Sequence, residues 1–248
     1  MPEWKDYGLV LRSREFKEAD RLVTLLTRQS GTVTMVARGV RKVPSKLAAQ
    51  VEPLTLGFYQ LHLGRSTMGT LLQGEVLKSH RKLHADTILL VYAHYFCELC
   101  EASLPEHEPS VPVFTLLVQA LTMLEEDEQP DRVARCFELN LLALLGYRPV
   151  LDSCLCCNGS GPFLFDPASG GLVCRQCPST AEAFTVSGAA VAVMRRFLEL
   201  TFHRLTVCRV PPVLSEEIHR VSCQLFARAV GKTRFKSLEV LRSLTKGQ

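Results

Sequence analysis

The sequence predicts an α+β protein, a small N-terminal β-barrel followed by an α-helical domain into which a four-cysteine lobe is inserted. Three observations carry this. Short apolar runs with strand character, punctuated by glycine, fill the chain up to about residue 80. Helical periodicity replaces them from about Arg81. Between residues 154 and 177 that periodicity breaks at paired cysteines and four glycines, then resumes. The expected boundaries are 1–80 for the barrel, 81–248 for the helical domain, and 152–182 for the lobe within it.

The strand candidates are GLVL, RLVTLLT, GTVTMVA, LTLGFYQLHL and TLLQGEV, separated by Gly31, Gly39, Pro53, Gly57, Gly64 and Gly69. Five strands in so short a stretch fit a small barrel. By propensity alone, Glu18 to Gln29 reads equally well as a helix. A first helix is expected over Thr87–Ala102, where Ile88, Val91, Tyr95 and Leu99 recur at helical spacing. A second starts after Ser110, with Pro112 tolerated in its first turn. A third, capped by Asp131, stops at Gly146 before Pro149. Three antiparallel helices are therefore expected, with further helical patterns near Ser187–Phe202 and Ser215–Ala229.

Composition narrows the class. Hydrophobic residues are 47% and charged residues 22% of the chain, enough to pack a core almost throughout. The opening MPEWKDYGLVLRSREF meets charge at once, and no later run is apolar enough to span a bilayer. The expected location is the cytoplasm, with no membrane partner. The ten cysteines then sit in a reducing compartment, where ligation or burial is favoured over disulfides. Net charge is +5 over residues 1–80, −6 over 81–150 and +5 over 151–248. A basic first third suits an anionic polymer, although such an excess also occurs on proteins that bind none.

Cys154-Leu-Cys156-Cys157 and Cys174-Arg-Gln-Cys177 have the spacing of two zinc knuckles. Cys154, Cys157, Cys174 and Cys177 are the expected ligands of one structural Zn²⁺, with Cys156 able to replace either of the first two. Four sulfurs close the coordination shell, which leaves no position for catalytic water. Cys97 and Cys100 share a face of an apolar helix and read as core, as do Cys136, Cys208 and Cys223. Gly231-Lys232-Thr233 lacks the strand and the earlier glycine of a phosphate loop and reads as a helix end. The histidines form no ligand pattern, and no nucleophile elbow is present, so no catalytic site or nucleotide cofactor is expected. The run from Arg38 to Lys46 gathers Arg38, Arg41, Lys42 and Lys46 between two predicted strands. It reads as a flexible hairpin loop, either tracking a phosphate backbone or merely solvated at its tip.

In order, ADRLVTLLT, ARGVRK, RCFELNLLALLGYRP, the CLCC knuckle and FDPASGGLVCRQC resemble the RecO family of bacterial recombination mediators, over nearly the whole chain. The resemblance implies an OB-fold barrel, which settles Glu18–Gln29 as a strand, then a helical domain with a zinc ribbon. It implies binding of single- and double-stranded DNA, strand annealing, and, with RecR, help in loading RecA onto single strands coated by SSB, without an enzymatic step. Arg38, Arg41, Lys42 and Lys46 carry over as DNA contacts. Outside the carried-over loop, Arg65 is a further DNA-binding candidate. Arg135 carries over as the cation for the acidic, apolar C-terminal tail of SSB, though Cys136 departs from the arginine of some relatives. Some relatives lack the zinc cysteines, so the metal is not essential to the family's activity. Two other classes compete: an OB-fold plus zinc-ribbon RNA or transcription module, and a metal nuclease, which would need carboxylates that are missing near the cysteines.

Overall fold

The computed structural model describes residues 3–42, 45–63, 68–200, 202–232 and 234–245. Its N-terminal strands are β1 (Glu3–Phe16), β2 (Asp20–Thr27), β3 (Gly31–Ala37), β4 (Leu56–His62) and β5 (Gly69–Lys78). They close into a barrel in the order β1-β2-β3-β5-β4, so neither end strand is left as an open edge. All pairs are antiparallel except β3 with β5, which run parallel through Met35↔Gly69. β1 serves two neighbours. Its first half pairs with β4 and its second with β2, and a shift in register between Val10 and Arg12 bends it from one to the other. Glu18–Gln29 is strand β2 with its flanking turns, and Val23 and Leu25 are buried in the barrel core.

Tyr59 fills the barrel beside glycines. A Cβ on Gly8, Gly57 or Gly74 would stand within 3.1 Å of its ring, so these positions leave room for a side chain larger than the space could otherwise take. Its hydroxyl donates to the Gln50 carbonyl at 2.8 Å, which meets the polar need of a buried phenol.

The helical part begins with α1 (Arg81–Ala85), α2 (Thr87–Ser103) and α3 (Val111–Leu124). Asp86 caps α2 by accepting from the Ile88 and Leu89 amides, and Ser110 caps α3. α4 runs Pro130–Leu144, and its cap position is Gln129, not Asp131 as expected. Pro130 occupies the first helical position, where its missing N–H costs nothing, and so moves the start before Asp131. Three short strands follow, β6 (Phe163–Asp166), β7 (Gly171–Cys174) and β8 (Phe184–Thr185), in the order β7-β6-β8. The chain ends in α5 (Gly188–Glu199), α6 (Pro212–Val230) and α7 (Lys236–Thr245). Gly231 ends α6 with φ +67°, its N–H donating to Ala227. α7 had no counterpart among the expected elements.

Two compact units result. One comprises Met1–Glu125 with Lys236–Gln248, the other Glu126–Phe235. Residue 80 therefore marks a change from strand to helix, while compactness groups α2, α3 and α7 with the barrel and leaves α4 in the other unit. Within the first unit, the Ser237 amide at the start of α7 donates to Glu98 of α2. No described helix is long and apolar enough to cross a membrane.

Candidate metal centre and nucleic-acid interface

The ribbon is built so that its four thiols converge. The first knuckle turns back on itself: Cys154 N–H donates to the Gly159 carbonyl, and Asn158 N–H, at φ +58°, donates to the Cys154 carbonyl. The second folds at the end of β7, where Cys177 N–H donates to the Cys174 carbonyl at 3.1 Å. Gly171 lets the two halves meet, since a Cβ there would lie 2.7 Å from the Val150 carbonyl oxygen. The Sγ atoms of Cys154, Cys157, Cys174 and Cys177 all lie within 4.8 Å of one another. Cys157 and Cys174 stand 3.7 Å apart, and sulfurs bound 2.3 Å from a tetrahedral ion would be separated by about 3.8 Å. This set could hold a metal ion, and its all-thiol chemistry fits zinc. Amide donors support it: Cys174 N–H points at Cys154 Sγ (3.2 Å) and Gly159 N–H at Cys157 Sγ (3.4 Å). The hydrogen bond from Cys174 is the main cause that lowers the Cys154 thiol to about 6, toward the thiolate a metal needs. Cys156 is exposed, outside the cluster, with its thiol toward the Pro178 carbonyl. Cys97, Cys100, Cys136 and Cys208 are buried; burial pushes Cys136 up to about 12, which keeps it protonated and inert. Cys223 is only partly buried and packs against His219.

The basic run is not a hairpin tip. It opens the connection from β3 to β4, two strands that are not neighbours, and it is pinned. Val40 is buried in the barrel core, Gly39 N–H donates to Asp20, and Arg41 N–H donates to the Ala19 carbonyl. The flexible loop expected from Gly39 and Pro44 is thus anchored over 38–42, because an apolar residue sits in its middle. Pro44 and Arg65 lie outside the described residues. Arg38, Arg41, Lys42 and Lys46 are all exposed. Arg41 meets Glu15 at 3.1 Å, an exposed pair that solvent screens and a phosphate can replace.

Arg38 also lines a groove of about 350 Å³ with His62, Leu47 and Leu72. A second groove of about 320 Å³ lies across β1 to β3, lined by Arg12, Arg14, Thr24, Thr34 and His107, with one carboxylate, Glu106, beside them. Arg12 is tied to Glu101 at 2.8 Å, while Arg14 is exposed with no ion pair among the described residues. Arg12 and Arg14 were missed from sequence. Their spacing of two in a strand, which puts both on one face, was the available signal.

Arg135 is placed against expectation. Its side chain is 3% exposed and its guanidinium holds Glu138 at 3.0 Å, one turn along α4. His219 of α6 reaches the same carboxylate oxygen at 3.2 Å. Placed in this way, the guanidinium offers a partner's carboxylate almost no surface. The charge is spent inside the unit, where it offsets a fully buried glutamate.

A closed OB-like barrel, helices and a four-thiol ribbon inserted among them define an α+β class of modular architecture. Comparison with known sequences makes the class specific. The family model for the recombination protein O N terminal domain matches residues 1–80, and that for the C terminal domain matches 84–239. The chain belongs to the RecO family. The relatives named DNA repair protein RecO include that of Symbiobacterium thermophilum, 38% identical over 96% of both chains. That of Bacillus pumilus is 34% identical over 88% of this chain and 85% of its own. A third, from Listeria monocytogenes serotype 4b, is 30% identical over 96% and 94%.

Proposed function

We propose that the protein is a DNA-repair recombination mediator. It binds single- and double-stranded DNA, anneals complementary strands, and with RecR assists RecA loading onto SSB-coated single strands, engaging the SSB C-terminal tail. The observation that carries this is the set of exposed cations on the barrel, Arg38, Arg41, Lys42 and Lys46 after β3 and Arg12 and Arg14 on β1, with Arg38 lining one groove and Arg12 and Arg14 another, in a chain of this family. Cations lining a groove neutralise phosphates, release counterions, and lower the repulsion between two strands held together. Annealing needs no covalent step, and the proposed mechanism uses binding alone. The SSB tail belongs to this proposal without Arg135 as its receptor. One Zn²⁺ on Cys154, Cys157, Cys174 and Cys177 serves as a structural tie for the ribbon, and the proposed location is the cytoplasm, at the nucleoid.

The test is annealing of complementary oligonucleotides coated with SSB. The protein should accelerate it without nucleotide; an unchanged rate would sink the proposal.

A further inference from the structure

A cavity at the end of α4 belongs to neither the barrel nor the thiol cluster. α4 closes with paired hydrogen bonds: Gly146 N–H, at φ +86°, donates to the Ala143 carbonyl and Tyr147 N–H donates to the Leu142 carbonyl at 2.8 Å. This motif fixes the backbone on which Tyr147 stands. Two residues on, Pro149 limits the backbone, and Val150 is bonded to the ribbon on both sides, its N–H to Gly170 and its carbonyl to the Leu172 amide, each at 3.0 Å. Tyr147 and Arg148 are therefore held from both directions and still face solvent, with Tyr147 41% exposed. The ring thus offers an accessible face on a fixed backbone.

With Ser169, Gly170 and Arg228 these two residues line a cavity of about 230 Å³, whose lining holds two guanidinium groups and no carboxylate. Arg148 has no ion pair among the described residues. Arg228 faces Glu182 at 3.6 Å, both side chains well exposed, so that pair is weak and open to exchange. The lining thus pairs two cations with an aromatic wall. An acidic peptide would meet the cations, and would use the ring only if an apolar residue of its own packed there. A nucleotide uses both, its base stacking on the ring and its phosphate meeting the guanidinium groups, with little regard to sequence.

We infer that this cavity is a second site for single-stranded DNA, with a base stacked on Tyr147 and its phosphate between Arg148 and Arg228. The inference rests on the DNA-handling reading for the identity of the strand. It adds a place to hold one in a different compact unit from the barrel.

The test is photo-cross-linking of the full-length protein to an oligonucleotide carrying 5-iododeoxyuridine, mapped by peptide mass spectrometry. Wild type should cross-link at Tyr147 as well as on the barrel. In an Arg38→Ala/Arg41→Ala/Lys42→Ala variant the Tyr147 cross-link should persist. Adding Tyr147→Ala and Arg148→Ala to that variant should cut its remaining affinity about tenfold or more, while Tyr147→Phe, which keeps the stacking face, should retain it. Cross-links confined to the barrel would overturn the second site and leave the proposed function standing. Loss of cross-linking everywhere would sink both. Displacement of the Tyr147 cross-link by an acidic peptide, with none by unlabelled oligonucleotide, would assign the cavity to a protein partner and overturn the inference.

Discussion

Cys174 and Cys156 differ in what their sulfurs meet, and that difference is measurable. Cys174 lies 3.7 Å from Cys157 inside the cluster, whereas Cys156 is exposed outside it. Cys174→Ser should lower bound zinc well below one per chain and destabilise the ribbon; Cys156→Ser should change neither. Metal analysis with thermal melts checks this, and equal effects would contradict the ligand set. Arg135 is the second case. Removing it takes from the fully buried Glu138 the guanidinium that meets it at 3.0 Å, so Arg135→Ala should cost about 3–5 kcal/mol in urea unfolding. Stability unchanged, with SSB-tail binding lost, would return Arg135 to the surface role its resemblance implied. The partner role of Arg135 came from the family resemblance alone; the pairing with Glu138 and His219, the latter more than eighty residues away, depends on burial and is a tertiary fact.

At the scale of elements, two glycines with similar backbones separate two kinds of constraint. Gly31, at φ +73°, starts β3, and a Cβ there would lie 2.6 Å from the Glu108 backbone. Gly146 has φ +86° and open space around it. Gly31→Ala should therefore cost well over about 1 kcal/mol, backbone strain plus collision, and Gly146→Ala only about 1 kcal/mol of strain. Chemical denaturation of both variants checks the order, and a reversal would mean the loop carrying Glu108 yields freely. The helices with strong local signals were legible: Asp86 and Ser110 cap where the pattern starts, and Gly146 and Gly231 end α4 and α6. Two features were not. Asp131 fits a cap by chemistry, but Pro130 before it claims the first turn. Residues 38–46 read as a flexible hairpin because strand order is invisible in sequence; only the β3–β5 pairing shows that the run begins a crossing connection and that Val40 anchors it.

For the whole molecule, the α+β texture and the thiol spacing were readable because each rests on local chemistry, period-two or helical repetition and paired knuckles. The division into compact units was not, because it depends on α7 returning to α2 across most of the chain. Nor were the grooves, since Arg12 and Arg14 on β1 gain their setting only from Thr24 and Thr34 on neighbouring strands. The central claim is that exposed cations on the barrel hold single-stranded DNA through its phosphates. The measurement that tests it most directly is the slope of log affinity against log salt for a single-stranded oligonucleotide, compared between wild type and the Arg38→Ala/Arg41→Ala/Lys42→Ala variant. Each neutralised phosphate contributes about −0.7 to that slope, so losing all three contacts should weaken binding and flatten the slope by about two units. The substituted side chains are exposed, so the fold should keep its stability. An unchanged affinity and slope would contradict the claim.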